Sequence, residues 1–160
     1  MTLNQQGIVM MPHEGDVLTV AGDAVTFKAL GQNTQGQYAL IEILCNPDVG
    51  TPPHIHSRED EAFYVLEGEV EFRLDDQIIL ATPGTFLHSP RGQKHSFKNT
   101  GTAQARMLCW ITPAGLEMFF AEVGRPVADP LNPPVPDQAA IDKLLATAPK
   151  YGLTILPPEA

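Results

Sequence analysis

The stretch GTPPHIHSREDEAFYVLEG, residues 50–68, decides how this chain is read. It sets His54 and His56 one residue apart, follows them with Glu61, and continues as an apolar run to Gly68. In a β-strand, residues two apart point to the same side, so His54 and His56 share a face. Two imidazoles on one face can reach a single ion about 2 Å from each nitrogen. The polar turn at residues 57–60 lets the chain reverse and present Glu61 from the next strand. The bland alternative is three unrelated surface side chains, and this stretch alone leaves both readings open.

Outward from it, the chain reads as short strands separated by turn residues. Strands are predicted at 17–20, 24–30, 38–45, 61–66, 70–74, 77–81, 85–89, 95–99 and 103–111. The run YALIEILC (38–45) is apolar on both faces and predicts a central strand. Val70, Phe72 and Leu74 alternate with Glu69, Glu71 and Arg73, which marks a strand with one wet face. Asp75-Asp76 fits a two-residue hairpin turn, and Asn99-Thr100-Gly101 a second turn. This pattern predicts an all-β fold of antiparallel strands closed as a sandwich or barrel.

The C-terminal part differs. Thr112-Pro113 reads as an N-cap with proline at the first helical position, ahead of Leu116, Phe119, Phe120 and Val123 at helical spacing. Gly124 is a good stop, and the proline-rich residues 125–136 should run extended over the surface. Asp137 is placed to cap a second helix with Ile141, Leu144, Leu145 and Ala148 on its apolar face. The helix carrying Phe119-Phe120 is expected to close one barrel end, with a lid over the barrel mouth as the alternative. The expectation is one domain over 1–160, with a barrel core at about 16–112 and a helical tail at about 113–160.

Composition narrows the partners. A net charge of -9 argues against nucleic-acid backbones and anionic membrane, both of which call for clustered Lys and Arg. No apolar run is long enough to span a bilayer, and residues 1–16 lack the charged and apolar regions of a secretory signal. The expected location is the cytoplasm. Cys45 and Cys109 lie in apolar strands and are read as free buried thiols.

A further ligand is offered by GTFLHSPRGQKHSFKN, residues 84–99, where Pro90 and Gly92 shape a turn ahead of His95. Three imidazoles with one carboxylate suit Mn, Fe, Co, Ni, Cu or Zn. The two stretches together resemble the cupin family. His54-Ile55-His56, four residues, Glu61, six residues and Gly68 fit its first motif, and Gly84, Pro90, Gly92, His95 and Asn99 its second. The pattern departs at Gly50, which precedes His54 by three residues where the family usually has five. The resemblance implies a double-stranded β-helix, the jelly-roll cupin barrel. One divalent transition metal per chain would be held by His54, His56, Glu61 and His95.

Within the family, EAFYVLEG (61–68) and the 90–99 stretch are similar to flavonol (quercetin) 2,3-dioxygenase-like cupins, as is, more loosely, the tail with Phe119-Phe120 and Tyr151-Gly152. This implies opening of a flavonol or related enol by O2, with Glu61 as catalytic base. Phe63 and Phe97 have the strand parity of Glu61 and His95 and are candidate substrate-binding residues. Tyr38, Met107 and Trp110 are weaker ones. His88 and His13 are read as surface residues. Glu59, Asp60, Glu67, Glu69 and Glu71 are read as solvated. Two other expectations stand beside the dioxygenase: redox-free isomerase, epimerase or lyase chemistry, and a metal or small-molecule binding barrel. A homodimer is the expected assembly.

Overall fold

The computed structural model describes residues 7–157; residues 1–6 and 158–160 lie outside it. The strands are β1 Val17–Val20, β2 Asp23–Ala29, β3 Ala39–Cys45, β4 His54–His56, β5 Asp60–Glu67 and β6 Val70–Leu74. They continue as β7 Gln77–Ala81, β8 Phe86–Ser89, β9 His95–Lys98 and β10 Ala105–Thr112. The tail then supplies α1 Glu117–Val123, β11 Arg125–Pro126, α2 Gln138–Thr147, a 3-10 turn Ala148–Tyr151 and β12 Leu153–Ile155.

The strands form two antiparallel sheets. One has seven strands in the order β11-β1-β2-β3-β10-β5-β8, and the other five in the order β12-β4-β9-β6-β7. This is the expected all-β jelly roll. Residue alternation explains it: in β3 and β10 every second residue is buried, so one face of each strand makes the core. Ile41, Val65, Phe72, Met107 and Ile111 are fully buried in that core. Each contributes roughly 1.5–3 kcal/mol over an exposed position. β3 lies between β2 and β10, the central place its apolar sequence predicts. Asp75-Asp76 closes the β6–β7 hairpin, with Leu74 opposite Gln77.

The motif residues without ligand chemistry shape the backbone. Asn99 is fully buried; its Nδ2 donates to the Cys45 and Ala103 carbonyls, and its Oδ1 accepts from Gly101 N. A Cβ at Gly50 would lie 2.0 Å from the Phe97 carbonyl oxygen, so only glycine lets these strands approach so closely. Gly92, at φ 86°, donates its N–H to the His56 carbonyl at 2.8 Å and clips the second turn onto β4.

Two expectations change in the tail. The helix begins not after Thr112 but at Glu117, with Leu116 as N-cap and no side-chain cap. Thr112 is instead the last residue of β10, its backbone spent on the ladder opposite Asp60. The carboxylate of Glu117 accepts from Gly31 N at 2.9 Å and Gly115 N at 2.6 Å, which pins α1 to the β2–β3 loop. The second change is β12, a strand that pairs with β4 where only a chain end was expected. Asp137 does cap α2, accepting from Ala140 N at 2.7 Å.

Candidate metal centre

β4 presents both histidines inward: His54 and His56 are buried while Ile55 between them is half-buried. β9 lies beside β4 with His95 directly opposite His54. Glu61 comes from β5 in the other sheet, where it pairs with Ser89 and Ile111. One bond pair ties the two motifs together: Asp60 Oδ1 accepts from both Arg91 N and Arg91 Nε at 2.9 Å. The result is a buried group of His54, His56, Glu61 and His95 whose ligand atoms all lie within 4.8 Å of one another, an arrangement that could hold a metal ion.

The outer partners set the ring chemistry. His54 Nδ1 donates to the Pro52 carbonyl at 2.8 Å, which leaves Nε2 as the lone-pair nitrogen. His95 Nδ1 lies 3.0 Å from Ser89 Oγ and 3.3 Å from the Gln93 carbonyl. A carboxylate only accepts, so Nε2 donates to Glu61 Oε2 at 2.8 Å, and Nδ1 accepts from the Ser89 hydroxyl. His56 Nε2 is 3.0 Å from the same oxygen, yet both of its ring nitrogens are buried without an aligned hydrogen bond.

Charge follows the same crowding. Burial pushes His54 down to about 3, reinforced by the neighbouring His95, so its imidazole stays neutral. Burial acts on His56 in the same sense, but the Glu61 carboxylate outweighs it and raises the ring above its ordinary value. Burial alone would raise Glu61, and the neighbouring His56 with the hydrogen bond from His95 instead holds it well below the carboxylate range. Three imidazoles gathered at one carboxylate, with His56 Nε2 unbonded, suit a divalent transition metal.

Three neighbours were not assigned to the site from the sequence. Ser89 supports His95 across the sheets. The Cys109 thiol donates to Glu61 Oε1 at 3.5 Å, which gives this buried cysteine a place beside the carboxylate. Burial, then Glu61, push that thiol well above its usual value. Glu59 corrects an expectation: it is buried, not solvated, because the 57–60 turn folds beneath the loop at Gly115. Its Oε2 lies 3.9 Å from His56 Nδ1, with neither atom hydrogen-bonded. Burial raises its carboxyl above the ordinary value.

A cavity of about 90 Å³ opens onto the cluster. On the barrel side it is walled by Val25, Ile41, Ile43, Phe63 and Phe97. On the tail side it is covered by Leu116, Phe120, Leu144, Leu153 and Ile155. The helix expected to close one barrel end thus also reaches the cavity through Phe120. Tyr38 and Met107 are not on its wall; Tyr38 precedes β3 and Met107 sits in the core between Ile43 and Val65. Trp110 points away from the core and is half-buried, and His13 and His88 are exposed. Cys45 and Cys109 are free and buried.

Residues 43–111, which contain all four cluster residues, match the family model described as the cupin domain. The chain carries a cupin domain. It is a small cupin similar to quercetinase-like proteins. The quercetin 2,3-dioxygenase of Bacillus subtilis (strain 168) is 28% identical over 150 residues, 94% of this chain. The chain spans only 44% of that relative's length. The tetracenomycin polyketide synthase protein TcmJ of Streptomyces glaucescens is 28% identical over 102 residues, 63% of this chain and 67% of its own. Among solved structures, KdgF from Halomonas sp. superposes with a TM-score of 0.63 over 71% of this cupin and 99% of its own chain. At 20% identity, that likeness shows the fold alone. No helix among the described residues is long and apolar enough to cross a membrane.

Proposed function

We propose that this cupin is a metal-dependent dioxygenase that opens a flavonol or related enol with O2. The observation that carries the reading is a three-histidine, one-glutamate cluster at the wall of an otherwise apolar, aromatic-sided cavity. Likeness to the Bacillus subtilis quercetin 2,3-dioxygenase along nearly the whole chain supports it. The ligands are His54, His56, Glu61 and His95, holding one divalent metal per chain. That ion would bind the substrate's enol oxygen and bring O2 to it.

The chain's own groups do the rest. Glu61 Oε2, already 2.8 Å from one ring nitrogen and 3.0 Å from another, takes the substrate hydroxyl proton. Phe63 and Phe97 flank a flat ring, and the apolar wall excludes water from the electron-rich enolate. Both atoms of O2 end in the products, so no outside reductant is needed. A cavity of about 90 Å³ is small for such a substrate. A neighbouring groove of about 350 Å³ shares Val20, Ala21, Pro52 and Leu144 with it. Displacing Leu144 joins the two into a space within the ~300–1,000 Å³ range of ligand pockets.

The small closed cavity also supports a second reading, redox-free isomerase, epimerase or lyase chemistry on a small keto or hydroxy compound. A homodimer is part of the proposal, favoured by the exposed Ile78, Leu80 and Phe86 on β7 and β8, which edge the two sheets. The deciding experiment is elemental analysis of wild type and His56→Ala, followed by O2 uptake with 3-hydroxyflavone. One redox-active ion per chain, lost in the variant, with flavonol-dependent uptake supports the dioxygenase. Full zinc occupancy without uptake rejects it in favour of the second reading.

A further inference from the structure

The apolar cavity holds one carboxyl that the metal cluster does not use. β2 sends Asp23, Val25 and Phe27 to the inner face, while Ala24, Thr26 and Lys28 point to the other face, with Ala24 buried there and the other two half-buried. Asp23 therefore stands at the head of a row that is otherwise hydrophobic. It is 3% exposed and lines the same cavity as His54, His56 and Glu61. Its Oδ1 has no hydrogen-bond partner.

Its near neighbour is the Cys45 thiol. A thiol has a single proton, and the Val49 carbonyl lies 3.1 Å from Cys45 Sγ to receive it. The Cys45 thiol is shared between that carbonyl and the carboxyl, and it leaves Asp23 Oδ1 without a partner. A buried carboxyl with one oxygen unpaired in an apolar wall is a liability in the empty protein, worth a loss of stability unless something pairs with it. Burial drives Asp23 up to about 7, so near neutrality it spends much of its time protonated, able to donate as well as accept.

Position indicates what it meets. Asp23 and Glu61 lie in strands of one sheet, with β3 and β10 between β2 and β5. Three strand spacings are roughly 14 Å across a flat sheet, and the register adds an offset along the strands, because Ala24 beside Asp23 is level with Leu44 and Arg106 while Glu61 is opposite Ile111. A ligand touching both ends is longer than a single small ring.

We propose that Asp23 is a substrate-binding residue that hydrogen-bonds a hydroxyl or carbonyl at the end of the substrate remote from the metal cluster. It would select multi-ring enols that carry an oxygen at both ends and are apolar between. This rests on the enol-substrate reading above, and it adds the far-end specificity that the cluster alone does not supply.

The test uses Asp23→Val, which removes the group, and Asp23→Asn, which keeps its shape. Thermal midpoints and metal content are measured first, at a pH above 8. Both variants should keep wild-type metal content and melt higher than wild type, because a group held for a ligand weakens the empty fold. A lower midpoint in both would make Asp23 a structural residue and overturn the proposal, whatever the substrate. Binding is then measured by calorimetry on metal-loaded protein, with 3-hydroxyflavone and two relatives carrying one further hydroxyl, on ring A or ring B. Wild type should bind one of the relatives at least about tenfold more tightly than the parent. Asp23→Val should erase that preference. A preference that survives in Asp23→Val, or is absent in wild type that binds the parent, overturns the proposal. If wild type binds none of the three, the flavonol reading has failed, and the thermal midpoints still decide whether Asp23 is held for a ligand.

Discussion

The two ends of the cavity are made differently. At the cluster end, four polar side chains from β4, β5 and β9 are held by ladder pairing and by fixed partners: Pro52, Gln93 and Ser89 around the rings, and Arg91 on Asp60. At the other end, Asp23 stands alone, and the cover comes from the tail: Leu116, Phe120, Leu144, Leu153 and Ile155. The first end is preorganised polar machinery. The second is apolar packing supplied by the tail. A site that must hold an ion steady and still admit a substrate needs both, because rigid ligands and a movable cover place opposite demands on one piece of chain.

If the division holds, changes at the cluster end act on metal and chemistry, and changes at the tail end act on stability. The largest effect is expected from His56→Ala or His95→Ala. Metal should fall from about one ion per chain to near none, with the far-ultraviolet circular dichroism spectrum unchanged. Full metal occupancy in both variants would break the comparison at its first term.

Glu61→Gln should lower turnover by about 10²–10⁴-fold, the usual contribution of a general base. Its metal content, measured on the same preparation, should fall much less. Equal turnover would remove Glu61 as the base and leave it a ligand only.

At the tail, Leu116 is 1% exposed. Leu116→Ala should cost about 3 kcal/mol in denaturant unfolding. Metal content should stay at the wild-type level, because no cluster residue lies in the tail. Loss of metal in this variant would show that the cover, not only the barrel, holds the ligands.

The last effect concerns pH. Asp23 is raised from 3.8 to about 7 by burial. Between those values the native state holds a proton that the unfolded chain has lost, so this group makes stability fall as pH rises from about 4 to 7. Above pH 7 the loss is complete. Asp23→Asn should therefore gain on wild type by at most about 1.4 kcal/mol per pH unit through that window and stay level above it. A constant difference between the two proteins from pH 4 to 8 would mean that burial does not shift this carboxyl.

The cluster was legible in the residue order because its residues sit on short strands with local turns. His54 and His56 share a face by strand parity, and Pro90 and Gly92 shape the turn that delivers His95. The β-strands were equally legible, since alternation of buried and half-buried residues is a local property. Glu59 was misread because a charged residue in a polar turn looks solvated until a remote loop, here the one at Gly115, folds over it. Asp23 was missed for a related reason. Placing the start of its strand at Ala24 left it in the turn, one residue short of the inward-facing row.

The sequence by itself determined the antiparallel strand architecture, the four clustered residues and the cap of α2, because each depends on residues close in the chain or on a strict period of two. Only the tertiary structure decided that β12 pairs with β4, that the tail covers the cavity, that Ser89 and Cys109 support the cluster, and that Asp23 faces inward. These depend on which distant segments meet, and that is settled by burial of apolar surface across the whole chain, a sum to which no single stretch of residues holds the key.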